Sequence, residues 1–253
     1  MVIGMYTKIG VMDSGIGGVT VLRECIKLVP NFEYLYYSDS FHNPYGEKSI
    51  EEVKKIAKNI VDKLIYNGCK IIIIACNTAS AIAVDYLRIS YPNIQFVAIE
   101  PAVKLAYDCS QENTLIMATK GTMDSDRFKS LYDKYHHENF YLFSCVGLAN
   151  LIENDDYEGI CKYLKLNLSF YSGKVSNVVL GCTHYPLIKR EISEVLGDVT
   201  FYDGSYGVAK QLKRIIELYG YLGNNGRVLF IDSTGDVEKE KRFYRILGSD
   251  KYE

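Results

Sequence analysis

The chain alternates short apolar runs with longer stretches in which apolar residues recur every three or four positions. The most apolar run, four isoleucines at residues 71–74, predicts a strand that is buried on both faces. Strands that alternate with helices are typical of parallel α/β sheets. The other predicted strands are the runs at residues 9–12, 34–37, 94–98, 114–118, 140–143, 178–181, 200–202 and 227–231.

Local signals mark where several of the helices begin and end. Ser49 and Glu52 have the spacing of a capping box ahead of an amphipathic stretch. Pro30 stops the first helix, and Pro186 suits the first turn of a later one. A further helix is predicted over residues 206–219.

A constant spacing of 106 residues relates the strand ends of the two halves of the chain, which indicates an internal duplication. We therefore predict an α/β fold of two pseudosymmetric lobes, each with a parallel sheet flanked by helices, and an active site between them. Residues 1–98 with 208–253 would form the lobe that carries Cys76, and residues 99–207 the lobe that carries Cys182. The late strand and its charged helix have no counterpart and are predicted to return to the first lobe. The spaced pairs are Asp13 and Thr119, Tyr34 and Phe140, Cys76 and Cys182, and Val97 and Asp203.

Composition narrows the classes of function. The net charge of −2 indicates neither nucleic acid nor an anionic membrane as a partner, and no apolar run reaches the length of a membrane span. The first ten residues lack the pattern of a secretion signal. Seven cysteines without any CxxC, beside only four histidines, predict a reduced cytoplasmic protein without a metal site.

Cys76 follows the isoleucine strand directly and stands at the mouth of the next helix. Ligands of open α/β sheets bind at this edge of the sheet. A helix N-terminus favours a thiolate and a bound carboxylate there. The alternative is a buried and inert cysteine.

Cys182 has the equivalent position in the second half, with His184 two residues later. His184 is suited to take or hold the proton of this thiol, unless it is a structural or merely solvated histidine. Asp13, at the end of the first strand, is suited to play the same part beside Cys76, with an N-cap of the following helix as its alternative role. The glycine-rich turn after Asp13 is not a GxGxxG motif, which disfavours a dinucleotide; the glycines are instead expected to let the backbone approach a small ligand.

Two thiols related by pseudosymmetry suit a nearly symmetric reaction, the inversion of a carbon centre. One thiolate removes a proton from one face while a thiol delivers a proton to the other face. Helix N-termini and the side chains of Asn77, Thr78 and Thr183 are suited to stabilise the charge on the substrate carboxylate. The sequence has no nicotinamide, P-loop or zinc motif. The lysines alone leave pyridoxal phosphate open, but the two-thiol scheme needs no cofactor.

Motifs along nearly the whole chain resemble those of the cofactor-independent glutamate racemases of the aspartate/glutamate racemase superfamily. The resemblance implies two flavodoxin-like lobes and interconversion of L- and D-glutamate for peptidoglycan in the cytoplasm, by an enzyme that forms a homodimer. The motifs are IGVMDSGIGG, NPYGEKS, IIIIACNTASA, IEPAVK, MATKGTMDS, VVLGCTHYPLI and STGD.

The resemblance also assigns roles to residues. Cys76 would act on the proton of the D-enantiomer and Cys182 on that of the L-enantiomer. Asp13, His184 and Glu153 would assist them, with no metal and no cofactor. The substrate contacts would be Asp13, Ser14, Tyr45, Gly46, Asn77, Thr78, Thr119, Thr122, Thr183 and His184.

Two other hypotheses stay open at this point. One is a racemase for aspartate or another amino acid, or a lyase of the same superfamily. The other is a binding protein without catalysis, or a thiol-redox protein, although the absence of CxxC argues against redox chemistry.

Overall fold

A computed structural model describes residues 6–224 and 226–248, and within them the chain forms two parallel sheets. The first sheet has the strand order β4-β3-β1-β2-β9. Parts of the predicted first lobe, residues 1–5, 225 and 249–253, lie outside the described residues. The strands of this sheet are β1 (Lys8–Asp13), β2 (Glu33–Ser38), β3 (Cys69–Ile74), β4 (Gln95–Ala98) and β9 (Arg227–Asp232).

The second sheet repeats the first. Its order, β6-β5-β7-β8, is that of β2-β1-β3-β4 with each strand replaced by its equivalent in the second half. All the pairs of neighbouring strands run parallel. The duplication predicted from the constant spacing is therefore confirmed. The strands are β5 (Thr114–Ala118), β6 (Phe140–Ser144), β7 (Asn177–Gly181) and β8 (Thr200–Asp203).

Helices cover both faces of each sheet, because both faces of a parallel strand are apolar. Ile71 to Ile74 of β3 are fully buried, as the isoleucine run predicts. The helices are α1 (Val19–Leu28), α2 (Ile50–Tyr66), α3 (Asn77–Ser90), α4 (Val103–Cys109), α5 (Lys120–Asp124), α6 (Asp126–Tyr135), α7 (Leu148–Glu153), α8 (Tyr157–Leu168), α9 (Lys189–Leu196), α10 (Ser205–Tyr219) and α11 (Val237–Leu247).

The last strand and helix return to the first sheet, as predicted. Strand β9 pairs with β2, and α11 packs beside it through the fully buried Phe243. The ring of Phe243 stacks on Phe230 of β9 with their centroids 4.3 Å apart, and it lies 4.8 Å from the ring of Tyr36. Helix α11 is thus fixed to the first sheet by aromatic packing.

The local signals in the sequence have mixed outcomes. The capping box of Ser49 and Glu52 is present at the start of α2. The helix predicted to begin at Pro186 starts instead as a 3-10 turn, Tyr185–Ile188, before α9. The tight turn arises because Tyr185 and Leu187 donate backbone hydrogen bonds three residues back, to Cys182 and His184. This turn holds His184 close behind Cys182.

Each helix within residues 6–224 and 226–248 falls short of the length and apolar character that a bilayer crossing requires. The division of the chain at residues 98/99 and 207/208 stays a prediction.

Candidate active site between the two sheets

A narrow cavity lies where the carboxyl ends of the two sheets face each other, and both predicted thiols line it. A larger cavity of about 1070 Å³ lies elsewhere, beside α4, α6 and α10, and neither thiol reaches it. The narrow cavity is therefore the candidate active site. Its lining residues are Ser14, Pro44, Tyr45, Gly46, Cys76, Asn77, Thr78, Thr119, Ala149, Cys182, Thr183 and His184.

Cys76 follows β3 and caps the N-terminus of α3, where its Sγ lies 3.5 Å from the backbone N–H of Ala79. Its thiol donates to Oγ of Ser14 over 3.7 Å. Burial, together with the nearby charge of Asp13, raises the pKa of Cys76 to about 12. At neutral pH this residue is therefore a thiol.

Cys182 begins a chain of three side chains. Its Sγ lies 3.7 Å from Nδ1 of His184, and Nε2 of that ring lies 2.8 Å from Oε2 of Glu153. Burial disfavours the charged imidazolium, but the hydrogen bonds to Cys182 and Glu153 outweigh it and raise the pKa of His184 well above its usual value. Burial likewise opposes the charge of Glu153, yet the hydrogen bond from His184 and its charge lower the pKa of Glu153 to about 2. The pair favours a proton on His184 and a carboxylate at Glu153.

Glu153 also reaches into the opposite lobe. Its Oε2 accepts a hydrogen bond of 2.9 Å from the backbone N–H of Ile16. A Cβ atom at Gly15 would collide with this carboxylate, and one at Gly17 would collide with His184. The close approach predicted for these glycines is therefore present, and its partners are protein groups, while the small ligand expected near this turn stays a prediction. Side chains of the second lobe occupy the space.

Asp13 is fully buried at the end of β1. Its Oδ2 accepts the backbone N–H groups of Gly18, at 3.0 Å, and of Gly15, at 3.3 Å, just before α1. Thr183 donates its hydroxyl to Oδ1 over 3.2 Å. Burial raises the pKa of Asp13 to about 6, against the lowering effects of His184 and of the Gly18 N–H. The N-cap of α1 is Gly18, with no side-chain capping hydrogen bond, so the alternative role of Asp13 as an N-cap is wrong. Asp13 instead holds the turn before α1, and it acts on Cys76 through its charge.

Three threonine hydroxyls form a cluster across the lobes. Oγ1 of Thr119 lies 2.8 Å from that of Thr78 and 2.9 Å from that of Thr122. Beside them, Asn77 is buried, and within the described residues neither polar atom of its side chain has a hydrogen-bond partner. Tyr45 also lines the cavity and donates its hydroxyl to Asp39 over 2.6 Å. The cavity thus offers hydroxyls and one unused amide to a polar ligand.

The structure gathers all the residues predicted for the site, but three of them lie behind the cavity wall. Asp13 reaches it through Thr183, Thr122 through Thr78 and Thr119, and Glu153 through His184.

Sequence reasoning missed four residues here. Pro44 and Ala149 line the cavity, and Lys239 and Arg242 of α11 contact Glu153. The charged character of α11 was visible in the sequence. Its contact with the site was not, because that contact depends on how the last helix packs.

The fold and the paired thiols agree with comparison to known proteins. The model of the Asp/Glu/Hydantoin racemase family matches residues 9–211. The chain belongs to this family and is an isomerase of amino acids.

Within the family, the chain is similar to glutamate racemases over most of its length. This similarity confirms the resemblance seen in its motifs. The glutamate racemase of Clostridium acetobutylicum is 40% identical over 247 residues, 94% of this chain and 96% of that protein. The crystal structure of a glutamate racemase isoform from Bacillus anthracis is 31% identical with a TM-score of 0.81, covering 96% of this chain and 94% of that one. A glutamate racemase from Francisella tularensis, solved in complex with D-glutamate, is 29% identical with a TM-score of 0.81, covering 97% of this chain and 95% of that one.

Proposed function

We propose that the protein interconverts L- and D-glutamate without a cofactor, with Cys76 and Cys182 as its two acid/base groups. The observation that carries the proposal is that a cysteine from each half of the duplicated chain lines the same narrow cavity. Proton removal on one face and delivery on the other need two groups in this relation. The similarity to glutamate racemases, one of them solved with D-glutamate, supports glutamate as the substrate.

In the L-to-D direction, the thiolate of Cys182 removes the α-proton of L-glutamate. The electron pair of the broken C–H bond spreads into the adjacent carboxylate. The thiol of Cys76 then delivers its proton to the opposite face, which leaves a thiol at Cys182 and a thiolate at Cys76. The D-to-L direction uses the same groups with their roles exchanged.

The protonation of Cys76 and His184 favours one starting state. Cys76 holds its proton because burial raises its pKa to about 12. On the other side of the cavity, a protonated His184 lies 3.7 Å from Sγ of Cys182. The acid group for the L-to-D direction is therefore in place at Cys76.

The substrate contacts are proposed from the polar groups that face the cavity. The carboxylate next to the α-carbon would lie at the N-terminus of α3, close to Asn77 and Thr78, because unpaired N–H groups there stabilise negative charge. The side-chain carboxylate would use the remaining polar wall, including Ser14, Tyr45 and Gly46. Thr119, Thr183 and His184 would complete the contacts, with Asp13 and Thr122 holding them from behind.

We further propose that the product is D-glutamate for peptidoglycan and that the enzyme works in the cytoplasm. All seven cysteines are free thiols, a state that suits a reducing compartment. Rescue of a bacterial D-glutamate auxotroph by the wild-type chain, and not by Cys76→Ala, tests the role in the cell. The homodimer implied by the family stays a prediction, which sedimentation equilibrium measures.

The direct test follows the circular dichroism of D-glutamate with purified protein and no added cofactor. We expect loss of optical activity with the wild type, and none above background with Cys76→Ala or Cys182→Ala. Cys161→Ala, a partly exposed thiol on α8, is the matched control and should keep full activity. Racemisation by both site variants would overturn the two-thiol mechanism. Faster turnover of aspartate than of glutamate would overturn the substrate and favour the aspartate alternative.

A further inference from the structure

The last helix of the described chain connects the first sheet to Glu153, a residue of the second lobe. Helix α11 is fixed to the first sheet by Phe243, as described above, and its polar side faces α7. Nζ of Lys239 lies 3.5 Å from Oε1 of Glu153. This oxygen is the one that His184 and Ile16 leave free, since both contact Oε2.

Arg242 contacts the backbone of the same residue. One terminal nitrogen of its guanidinium donates to the carbonyl of Glu153 over 2.6 Å, and the other donates to the carbonyl of Ile152 over 2.8 Å. Carbonyl groups in the last turn of a helix have no partner within the helix, so they are natural acceptors for a cation. The guanidinium also pairs with Asp155 at 3.0 Å. Arg242 therefore ties the end of α7 to α11.

We propose that Lys239 and Arg242 are positioning residues for the racemisation, which act through Glu153 and His184 on Cys182. The inference rests on the proposed function. Lys239 offsets part of the negative charge of the Glu153 carboxylate, and Arg242 fixes the position of the Glu153 backbone. Neither residue touches the cavity.

The direction of the electrostatic effect follows from the charges around Glu153. The carboxylate faces His184 and Lys239, and the hydroxyl of Ser40 lies 3.4 Å from its Oε1. Asp13 adds a second negative charge nearby, and Ser40 in turn contacts Asp232. Lys239 offsets part of this negative charge. Its removal leaves the site more negative, so the groups that face it hold their protons to higher pH.

The first experiment compares pH profiles of kcat/KM for glutamate racemisation. Lys239→Met should displace both limbs of the profile to higher pH by roughly half a unit, the size expected for one partly screened charge. Lys239→Arg keeps the charge and should restore the wild-type profile. Lys241→Met is the matched control, because Lys241 lies on the same helix and pairs with the exposed Glu238. A Lys239→Met profile that overlaps the wild type would overturn the role of Lys239.

The second experiment separates position from charge. Arg242→Met should lower kcat about tenfold and change KM less than about twofold, because the cavity wall itself is untouched. Asp155→Asn removes only the exposed partner of Arg242 and should behave as the wild type. Equal kcat values for Arg242→Met and the wild type would overturn the role of Arg242.

A third measurement does not need glutamate. Iodoacetamide alkylation of Cys182, followed by peptide mass spectrometry over a pH series, should reach half its maximal rate at roughly half a pH unit higher in Lys239→Met than in the wild type. Identical alkylation profiles in a folded variant would overturn the inference. If Lys239→Met shows this shift but the wild type does not racemise glutamate, the proposed function is overturned instead.

Discussion

The carboxylate of Glu153 accepts a 2.9 Å hydrogen bond from the backbone N–H of Ile16, so the group that holds His184 is itself held by the opposite lobe. The hydrogen-bonded chain of Cys182, His184 and Glu153 in the second lobe is therefore tied to the first lobe. The cavity lies between the same two lobes. Its width and the hydrogen bonding of His184 therefore both depend on the relative position of the lobes.

Replacement of Glu153 by glutamine tests the charge of this group. The Glu153→Gln side chain keeps an acceptor for Ile16, but it lacks the negative charge that stabilises the imidazolium of His184. The pKa of His184 should fall, and kcat should drop roughly tenfold or more. Nuclear magnetic resonance of the His184 ring and steady-state kinetics measure the two effects. A wild-type kcat together with a lowered pKa of His184 would show that catalysis does not need the charge of Glu153, and would contradict its proposed role.

The same substitution has a consequence for stability in acid. The pKa of Glu153 is about 2 in the folded protein and 4.5 ordinarily, so its ionised form stabilises the fold above pH 4.5, and this stability is lost as the pH falls towards 2. The free energy of unfolding of the wild type should exceed that of Glu153→Gln by about 2–3 kcal/mol at pH 6, and the difference should shrink below about pH 4. Urea unfolding of both proteins at pH 6 and below about pH 4 measures this difference in the free energy of unfolding. A difference independent of pH would contradict the depressed pKa.

The pKa of Asp13 is shifted in the opposite direction, from 3.8 to about 6. A raised pKa means that the folded protein binds the proton more tightly, so stability is lost as the pH rises from about 4 through 6. Asp13→Asn should therefore unfold with a free energy higher than the wild type by about 2–3 kcal/mol at pH 8, and by little at about pH 3.5. Its racemisation should nevertheless be slower, since the charge that holds Thr183 from behind the cavity wall is gone. A variant that is less stable at pH 8 would contradict burial as the cause of the shift.

Gly15 tests the close approach between the lobes. A methyl group at this position collides with the Glu153 carboxylate, so Gly15→Ala should lower kcat by about a hundredfold by displacing the carboxylate from His184. Gly207→Ala is the control, because its Cβ would meet open space within α10, where alanine is preferred by up to about 1 kcal/mol. Steady-state kinetics and thermal unfolding distinguish the two. Full activity in Gly15→Ala would mean that Glu153 tolerates displacement.

Much of the fold was predictable because its signals are local or periodic. The isoleucine run before Cys76, the capping box of Ser49 and the repeated spacing of strand ends each depend on residues close in sequence or on a simple repeat, and each is confirmed. The pairing of Cys76 with Cys182 followed from the repeat, since equivalent strands end at equivalent edges. These features can be predicted without the tertiary structure because they depend on local sequence or on the repeat, and not on how the helices pack.

The rest required the tertiary structure. Nothing near Gly15 in the sequence indicates that the side chain of Glu153, from the other half of the chain, fills the space beside it. Lys239 is one of several basic residues on an exposed helix, and only the packing of Phe243 selects which of them faces Glu153. The sequence also gives no sign that Thr122 reaches the cavity only through Thr78 and Thr119.

The most direct test of catalysis by two thiols is the fate of deuterium during racemisation of L-glutamate in heavy water. At early times, the D-glutamate that forms should carry one solvent deuterium at its α-carbon, while the remaining L-glutamate should stay protonated, because the two faces are served by different groups. Proton magnetic resonance after chiral separation measures both. Deuterium that appears equally fast in the recovered L-glutamate would show a single base serving both faces and would contradict the pairing of Cys76 with Cys182.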